Sequence, residues 1–262
     1  MSERPIAFVT GGSGGLGKSG NARQLAALAG RQRLHTVLVD GNPGQQSQRA
    51  WHRLDADRML ENAQWDDLKH AMVMPRELGQ PYALLPGPLD PRAPGLIGLY
   101  GRALIALSRD PHIDLIVVDA DRMDPAQWRS SHTFAGGVIR PFMQAGAGRI
   151  LFRIGQTGSQ LGDGLKTLDA VGMPELTITC AQAPGTLSNP RPDKDWKRML
   201  DGLSRFAGTD QWTAQSLTGQ QPGQPQGTQC PAWLARQARF VGVDASADTD
   251  TKGVSWLRRI LA

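Results

Sequence analysis

Residues Gly11 to Gly20 read Gly-Gly-Ser-Gly-Gly-Leu-Gly-Lys-Ser-Gly, between the short apolar run Ile6–Thr10 and a helical stretch that starts at Lys18. Two glycine patterns fit this segment at once. Gly12, Gly17, Lys18 and Ser19 satisfy G-x-x-x-x-G-K-[ST], in which backbone N–H groups wrap phosphates, the lysine reaches them as a point charge and the hydroxyl meets Mg2+. Thr10, Gly11, Gly15 and Gly17 satisfy T-G-x-x-x-G-x-G, a turn that cradles a dinucleotide. Both seat a pyrophosphate at a helix start, so the glycines alone do not choose between them.

Working outward, the chain alternates strands and helices. Apolar runs at Ile6–Thr10, Thr36–Asp40, Tyr82–Leu85, Ile113–Asp119, Arg149–Ile154 and Leu176–Cys180 read as buried strands. Helical periodicity covers Lys18–Gly30, Gln45–Met74, Leu96–Leu107, Pro125–Met143 and Ser159–Val171. Such alternation predicts an α/β fold: a mostly parallel twisted sheet, doubly wound, with helices on both faces. One domain is expected over residues 1–242, with an exposed Gln/Gly/Pro-rich loop at 219–227. An acidic linker at 243–253 and a short amphipathic helix at 254–262 follow.

The 262 residues are 40% apolar and 20% charged, with 29 basic against 24 acidic side chains and a net charge of +5. That size supports a substantial core. The basic balance favours anionic partners such as nucleic acid or a lipid surface, but the arginines are scattered. Two cysteines, Cys180 and Cys230, make no disulfide framework, and no stretch approaches the ~20 apolar residues of a membrane span. A cytoplasmic protein with reduced thiols is expected. The five histidines show no metal-ligand spacing with the cysteines.

Residues outside the loop separate the two readings. Short-chain dehydrogenases pair a tyrosine with a lysine four residues on, but Tyr82 and Tyr100 are followed at that distance by Pro86 and Leu104. The dinucleotide reading keeps only Asp40 as a ribose partner. The phosphate-loop reading finds its parts in order: Asp119 closes the apolar strand Ile-Asp-Leu-Ile-Val-Val-Asp, where a carboxylate can hold Mg2+ through water.

The segment Val37–Trp51 (VLVDGNPGQQSQRAW) resembles the stretch after the second strand of ParA/MinD-type ATPases, commonly V-L-L-I-D-x-D-P-Q. The run GKSGNARQLAALAG is similar to their first helix, YALLPGP to their third strand and IDLIVVDAD to their Walker B strand. The resemblance covers Ile6 to about Cys180. It implies ATP and Mg2+ as cofactors, cradled by Gly12, Ser13, Gly14, Gly15, Leu16, Gly17, Lys18, Ser19 and Gly20. It implies Lys18 and Asp40 as catalytic residues and Ser19, Asp40 and Asp119 around the metal. It further implies a nucleotide-dependent homodimer that positions a cargo such as a plasmid or a membrane apparatus, with an activating or cargo protein as partner.

Three departures stand out. The family's signature lysine falls on Ser13, the second Asp of D-x-D-P is Asn42, and Ala120-Asp121-Arg122 follows Walker B. Losing a cation near a developing charge costs rate, so binding is expected to outlast rapid hydrolysis, and a slow or inactive nucleotide-sensing scaffold is the alternative. The segment Cys180-Ala181-Gln182-Ala183-Pro184 stands where relatives often carry an Asn for the adenine. In Val254–Ala262, Trp256, Leu257, Ile260 and Leu261 share one helical face and Arg258 and Arg259 the other, similar to the membrane-targeting tail of MinD-type proteins. DNA binding through Arg236, Arg239 and Lys197 is the competing use of the positive charge.

Overall fold

The computed structural model describes residues 5–63, 68–184, 189–212 and 230–246. The 219–227 loop, residues 247–253 of the acidic linker and the 254–262 helix lie outside them. Seven strands form one sheet: β1 (Ile6–Gly11), β2 (Thr36–Gly41), β3 (Ala83–Leu85), β4 (Leu115–Arg122), β5 (Gly148–Gly155), β6 (Thr177–Pro184) and β7 (Arg205–Trp212). Their order is β3-β2-β4-β1-β5-β6-β7, and every neighbouring pair is parallel. The strand β7 was not expected from the sequence. Its polar run Arg-Phe-Ala-Gly-Thr-Asp-Gln-Trp lacks the continuous apolar character of the others.

The described residues also form helices α1 (Lys18–Arg31), α2 (Ser47–His52), α3 (Pro75–Leu78), α4 (Leu96–Arg109), α5 (Pro125–Arg129), α6 (Arg140–Gln144), α7 (Gly158–Val171), α8 (Asp193–Met199) and α9 (Ala232–Phe240). Two expected helices are broken. Among the described residues between Gln45 and Met74, only α2 and two short 3-10 turns form. There Arg53 takes a left-handed φ of 54° and ends α2 after six residues. Across Pro125–Met143, α5 stops at Ser130 and a π turn, Ala135–Ile139, runs into α6. Gly136 sits against the Ser130 carbonyl, where a Cβ would come within 2.2 Å, so the glycine permits this close return.

Strand residues alternate between two cores, as period two requires. Ile6, Phe8, Val39, Val118 and Phe152 face α4, the π turn and α6. Ala7, Val9, Leu38, Val117 and Leu151 face the side of α1 and α9. The same parity places Asp40, Asp119 and Arg153 on the α1 side at the carboxyl ends of β2, β4 and β5. Packing continues beyond residue 242, since Val243 and Ala245 are buried in the second core.

Candidate nucleotide site

The loop 12–17 links the carboxyl end of β1 to the first turn of α1. Gly15 and Gly17 take left-handed φ values of 70° and 71°, which side-chain-bearing residues rarely adopt. Gly11 and Gly12 answer to packing instead. A Cβ on Gly11 would lie 2.5 Å from the Arg153 carbonyl of β5, and one on Gly12 would lie 2.9 Å from the Gly164 backbone on α7. Gly11, one of the four fixed residues of the dinucleotide pattern, thus has a packing reason within the chain. Gly12→Ala is expected to destabilise the protein by about 1–3 kcal/mol, read as a lowered urea midpoint.

Gly14 differs from all of these. Its φ is not left-handed, it is exposed, and nothing lies within 4 Å of where its Cβ would be. Neither strain nor packing within the chain calls for glycine there. A side chain there would stand between solvent and the loop backbone, which the glycine leaves open.

Lys18 begins α1 and is 9% exposed, with Nζ donating to the Ser13 carbonyl at 3.0 Å. Burial lowers its pKa, while Asp121 and Asp119 pull it back up. The ammonium therefore folds over its own loop, among the glycines. Leu16 is buried, whereas Ser13 and Gly20 are half-buried.

Opposite stand the two carboxylates. Asp40 and Asp119 are direct neighbours in the β2–β4 register, and both are fully buried. One oxygen of each, Oδ1, has no protein hydrogen-bond partner. Burial and the adjacent Asp119 charge raise the Asp40 pKa to about 7, against the pull of backbone N–H groups of Gln48, Asn42 and Arg49. Burial likewise raises Asp119, against hydrogen bonds from Gln48, Ser19 and Ser47. Like charges this close resist ionising together.

The sequence did not single out Ser47 and Gln48 on α2, yet they fill the space between these groups. Ser47 Oγ donates to Asp119 Oδ2 at 2.8 Å and lies 3.0 Å from Ser19 Oγ. Gln48 donates its N–H to Asp40 Oδ2 at 3.1 Å and its Nε2 to Asp119 Oδ2 at 2.6 Å. Its Oε1 accepts from Arg23 Nη1 at 3.2 Å, and the Arg23 guanidinium covers the Trp51 ring at 3.8 Å. The only advance sign was the polar cluster Gln45–Gln48 after Asp40.

A second unanticipated residue braces the loop from below. Arg153 of β5 is fully buried, with Nε donating to the Leu16 carbonyl at 2.9 Å and Nη2 to Asp210 Oδ2 at 2.6 Å. Its Nη1 reaches the Cys180 sulfur at 3.2 Å, and its carbon centre lies 5.2 Å from the Trp233 ring centroid. Burial opposes the charge, but Cys180 and Asp210 more than offset it and raise its pKa. Burial pushes the Cys180 thiol up to about 12. An arginine in an apolar strand gave no hint of this role.

Other expected features resolve as follows. Asn42 is buried, with its Oδ1 lacking a protein hydrogen-bond partner. Tyr82 and Tyr100 are both fully buried, and the Tyr100 hydroxyl donates to the Asp40 carbonyl at 2.8 Å. Arg236 and Arg239 donate to the carbonyls of Ala207 and Ala245, whereas Lys197 is exposed. Among the described residues, no group of three or more His, Cys, Asp or Glu side chains could hold a metal. Two carboxylates and a hydroxyl suit Mg2+, which keeps several waters and needs one or two carboxylates. Also among the described residues, no helix is long and apolar enough to cross a membrane. A cavity of about 730 Å³, lined by Thr36, Tyr82, Leu107 and Ile113 among others, opens at the amino ends of the strands, away from both carboxylates.

Strand order separates the two glycine readings. A dinucleotide fold runs 3-2-1-4-5-6, with the first strand beside the second. Here β4 lies between β2 and β1, which brings Asp119 next to both Asp40 and the loop.

No protein-family model matches the sequence, and no curated protein matches it either. Solved structures do match. The MinC:MinD cell division complex of Aquifex aeolicus superposes with a TM-score of 0.64 at 14% identity, covering 94% of this chain and 99% of that one. The septum site-determining protein MinD of Pyrococcus horikoshii, complexed with Mg-ADP, gives 0.63 at 16% identity, with 99% and 98% covered. A plasmid partition protein of Borrelia burgdorferi gives 0.55 at 15% identity, with 92% and 97% covered. The likeness extends well past Cys180, where the sequence resemblance ends. With its seven parallel strands, its glycine loop at the end of β1 and these neighbours, the chain has the fold of the MinD and ParA-type P-loop ATPases.

Proposed function

We propose that this protein binds ATP with Mg2+ at the loop 12–20 and hydrolyses it slowly, cycling between nucleotide states. The observation that carries this reading is Gly14, a glycine that nothing within the chain requires, beside a buried lysine and two buried carboxylates with unpartnered oxygens. Backbone N–H groups of Gly14, Gly15 and Gly17 wrap the phosphates. Lys18 leaves the Ser13 carbonyl and turns its charge toward them. The hydroxyl of Ser19 and the carboxylates of Asp119 and Asp40 hold the cation, whose chemistry is to neutralise charge on the phosphate oxygens. Asp40, buried beside Asp119 at the end of β2, is placed to orient the attacking water.

Ser13 and Asn42 favour slow turnover, because neither supplies the charge that the resembling family carries at those places. Nucleotide-dependent pairing of two copies, with positioning of a plasmid or membrane-bound cargo, fits the neighbours: one is complexed with MinC and another is a plasmid partition protein. A DNA or anionic lipid surface and an activating protein complete that reading.

Calorimetric titration with ATP, ADP and NADPH in the presence of Mg2+ tests it. The adenine nucleotides are expected to bind, and Lys18→Ala is expected to weaken ATP binding about tenfold to a hundredfold, or 1.4–2.7 kcal/mol. Unchanged ATP affinity in that variant, or preference for NADPH, overturns the reading. Single-turnover hydrolysis beside ATP affinity separates a slow ATPase from a sensing scaffold.

A further inference from the structure

Ser47 lies too close to the metal-binding groups to be ignored. It is the first residue of α2, and its Oγ is 3.0 Å from Ser19 Oγ and 2.8 Å from Asp119 Oδ2. Ser19, Ser47 and Gln48 all hydrogen-bond the Asp119 carboxylate, so both hydroxyls converge on it. Two oxygens bound side by side on an octahedral Mg2+ at about 2.1 Å each lie about 3 Å apart. The Ser19–Ser47 spacing is that of such an edge. Hydrogen-bonded hydroxyls share it, so distance alone does not decide.

Two further observations point to a cation. Asp40 Oδ1 and Asp119 Oδ1 are buried without a protein hydrogen-bond partner, and such oxygens are costly unless something binds them. The backbone is also held in an unfavourable form to deliver Ser47. The preceding Gln46 sits at φ 38°, ψ 47°, left-handed and without glycine's freedom, and its side-chain amide is tied to the Pro88 carbonyl. Strain of this kind persists where the surrounding structure enforces it, often at ligand sites. Gln48, fully buried, then locks α2 down by bonding Asp40 and Asp119 together.

We infer that Ser47 is a direct metal ligand, supplied by α2, that completes with Ser19 the hydroxyl pair facing the cation. This rests on the Mg-nucleotide reading above and adds a residue to it. The neutral hydroxyl keeps donating to Asp119 while a lone pair turns to the metal, so the charge of the site is unchanged. Metal and α2 are thereby coupled: the cation fixes the segment that runs on to Trp51 and Arg49.

Mn2+ and ADP serve as probes on the full chain, with free Mn2+ followed by electron paramagnetic resonance. Ser47→Ala is expected to weaken Mn2+ affinity in the ADP complex about tenfold or more, leaving ADP affinity in EDTA unchanged. Ser47→Thr, which keeps the hydroxyl, is expected to restore Mn2+ binding. Ser47→Cys is expected to favour Cd2+, because thiolate is a softer ligand, and to show a thiolate-to-metal absorption band that the wild type lacks. Wild-type Mn2+ affinity in Ser47→Ala, or no such band in a folded Ser47→Cys protein, overturns the inference and leaves Ser47 as a hydrogen-bond donor to Asp119. Failure of the wild type to bind ADP in either condition overturns the nucleotide reading as well, which distinguishes the two failures.

Discussion

Arg153→Met is expected to lower the unfolding free energy by about 3–5 kcal/mol, the cost of removing one member of a buried ion pair. The guanidinium is fully buried, and its Asp210 partner is only 19% exposed. The variant also takes away the donor to the Leu16 carbonyl in the loop itself. A second substitution separates these effects. Arg153→Met combined with Asp210→Leu is expected to recover most of the stability, because apolar residues often replace a buried pair at little cost. ATP affinity is not expected to recover with it, because the loop still lacks its brace. Urea melts and calorimetry on the single and double variants read both quantities. A single variant as stable as the wild type would mean the ion pair contributes nothing net.

Asp40→Asn is expected to stabilise the ligand-free protein at neutral pH and above, while weakening Mg2+ binding and hydrolysis. The sign follows from the raised pKa. The folded protein holds the Asp40 proton up to about pH 7, whereas an unfolded chain releases it near 3.8. Stability from this group is therefore full below about pH 4 and is lost as pH rises through 7. The gap sets an upper limit of about 4 kcal/mol, at 1.36 kcal/mol for each pH unit. In urea melts at about pH 5 and pH 8, the wild type is expected to lose stability between them and the variant to lose much less. Mg-ADP is expected to restore the wild type at the higher pH, because metal favours the ionised carboxylate. Equal pH dependence in both proteins would show that Asp40 carries no such penalty. A stability cost at the residue proposed to handle the water is the usual mark of a site tuned for chemistry.

Buried strands and turn chemistry were legible in the sequence because they are local. The apolar runs Ile6–Thr10, Thr36–Asp40 and Ile113–Asp119 mark buried strands with Asp40 and Asp119 at their ends, and Gly17-Lys18-Ser19 marks the start of α1. The broken helix over 45–74 and the polar strand β7 were not legible, because their periodicity is weak and tertiary contacts override it. Arg153 looked like a strand residue and Ser47 like part of a polar loop. Their roles arise from partners 137 and 72 positions away, Leu16 and Asp119.

The sequence alone carried a parallel α/β sheet with a glycine-rich turn after β1, since hydrophobic period and glycine torsions are properties of neighbouring residues. The missing Tyr-Lys pair and the Asp119 strand already favoured the phosphate loop in the sequence, and the fold added a second, independent discriminator. It did so through strand order: inserting β4 between β2 and β1 makes Asp119 a neighbour of Asp40 and of the loop, and no spacing along the chain encodes which strands lie side by side.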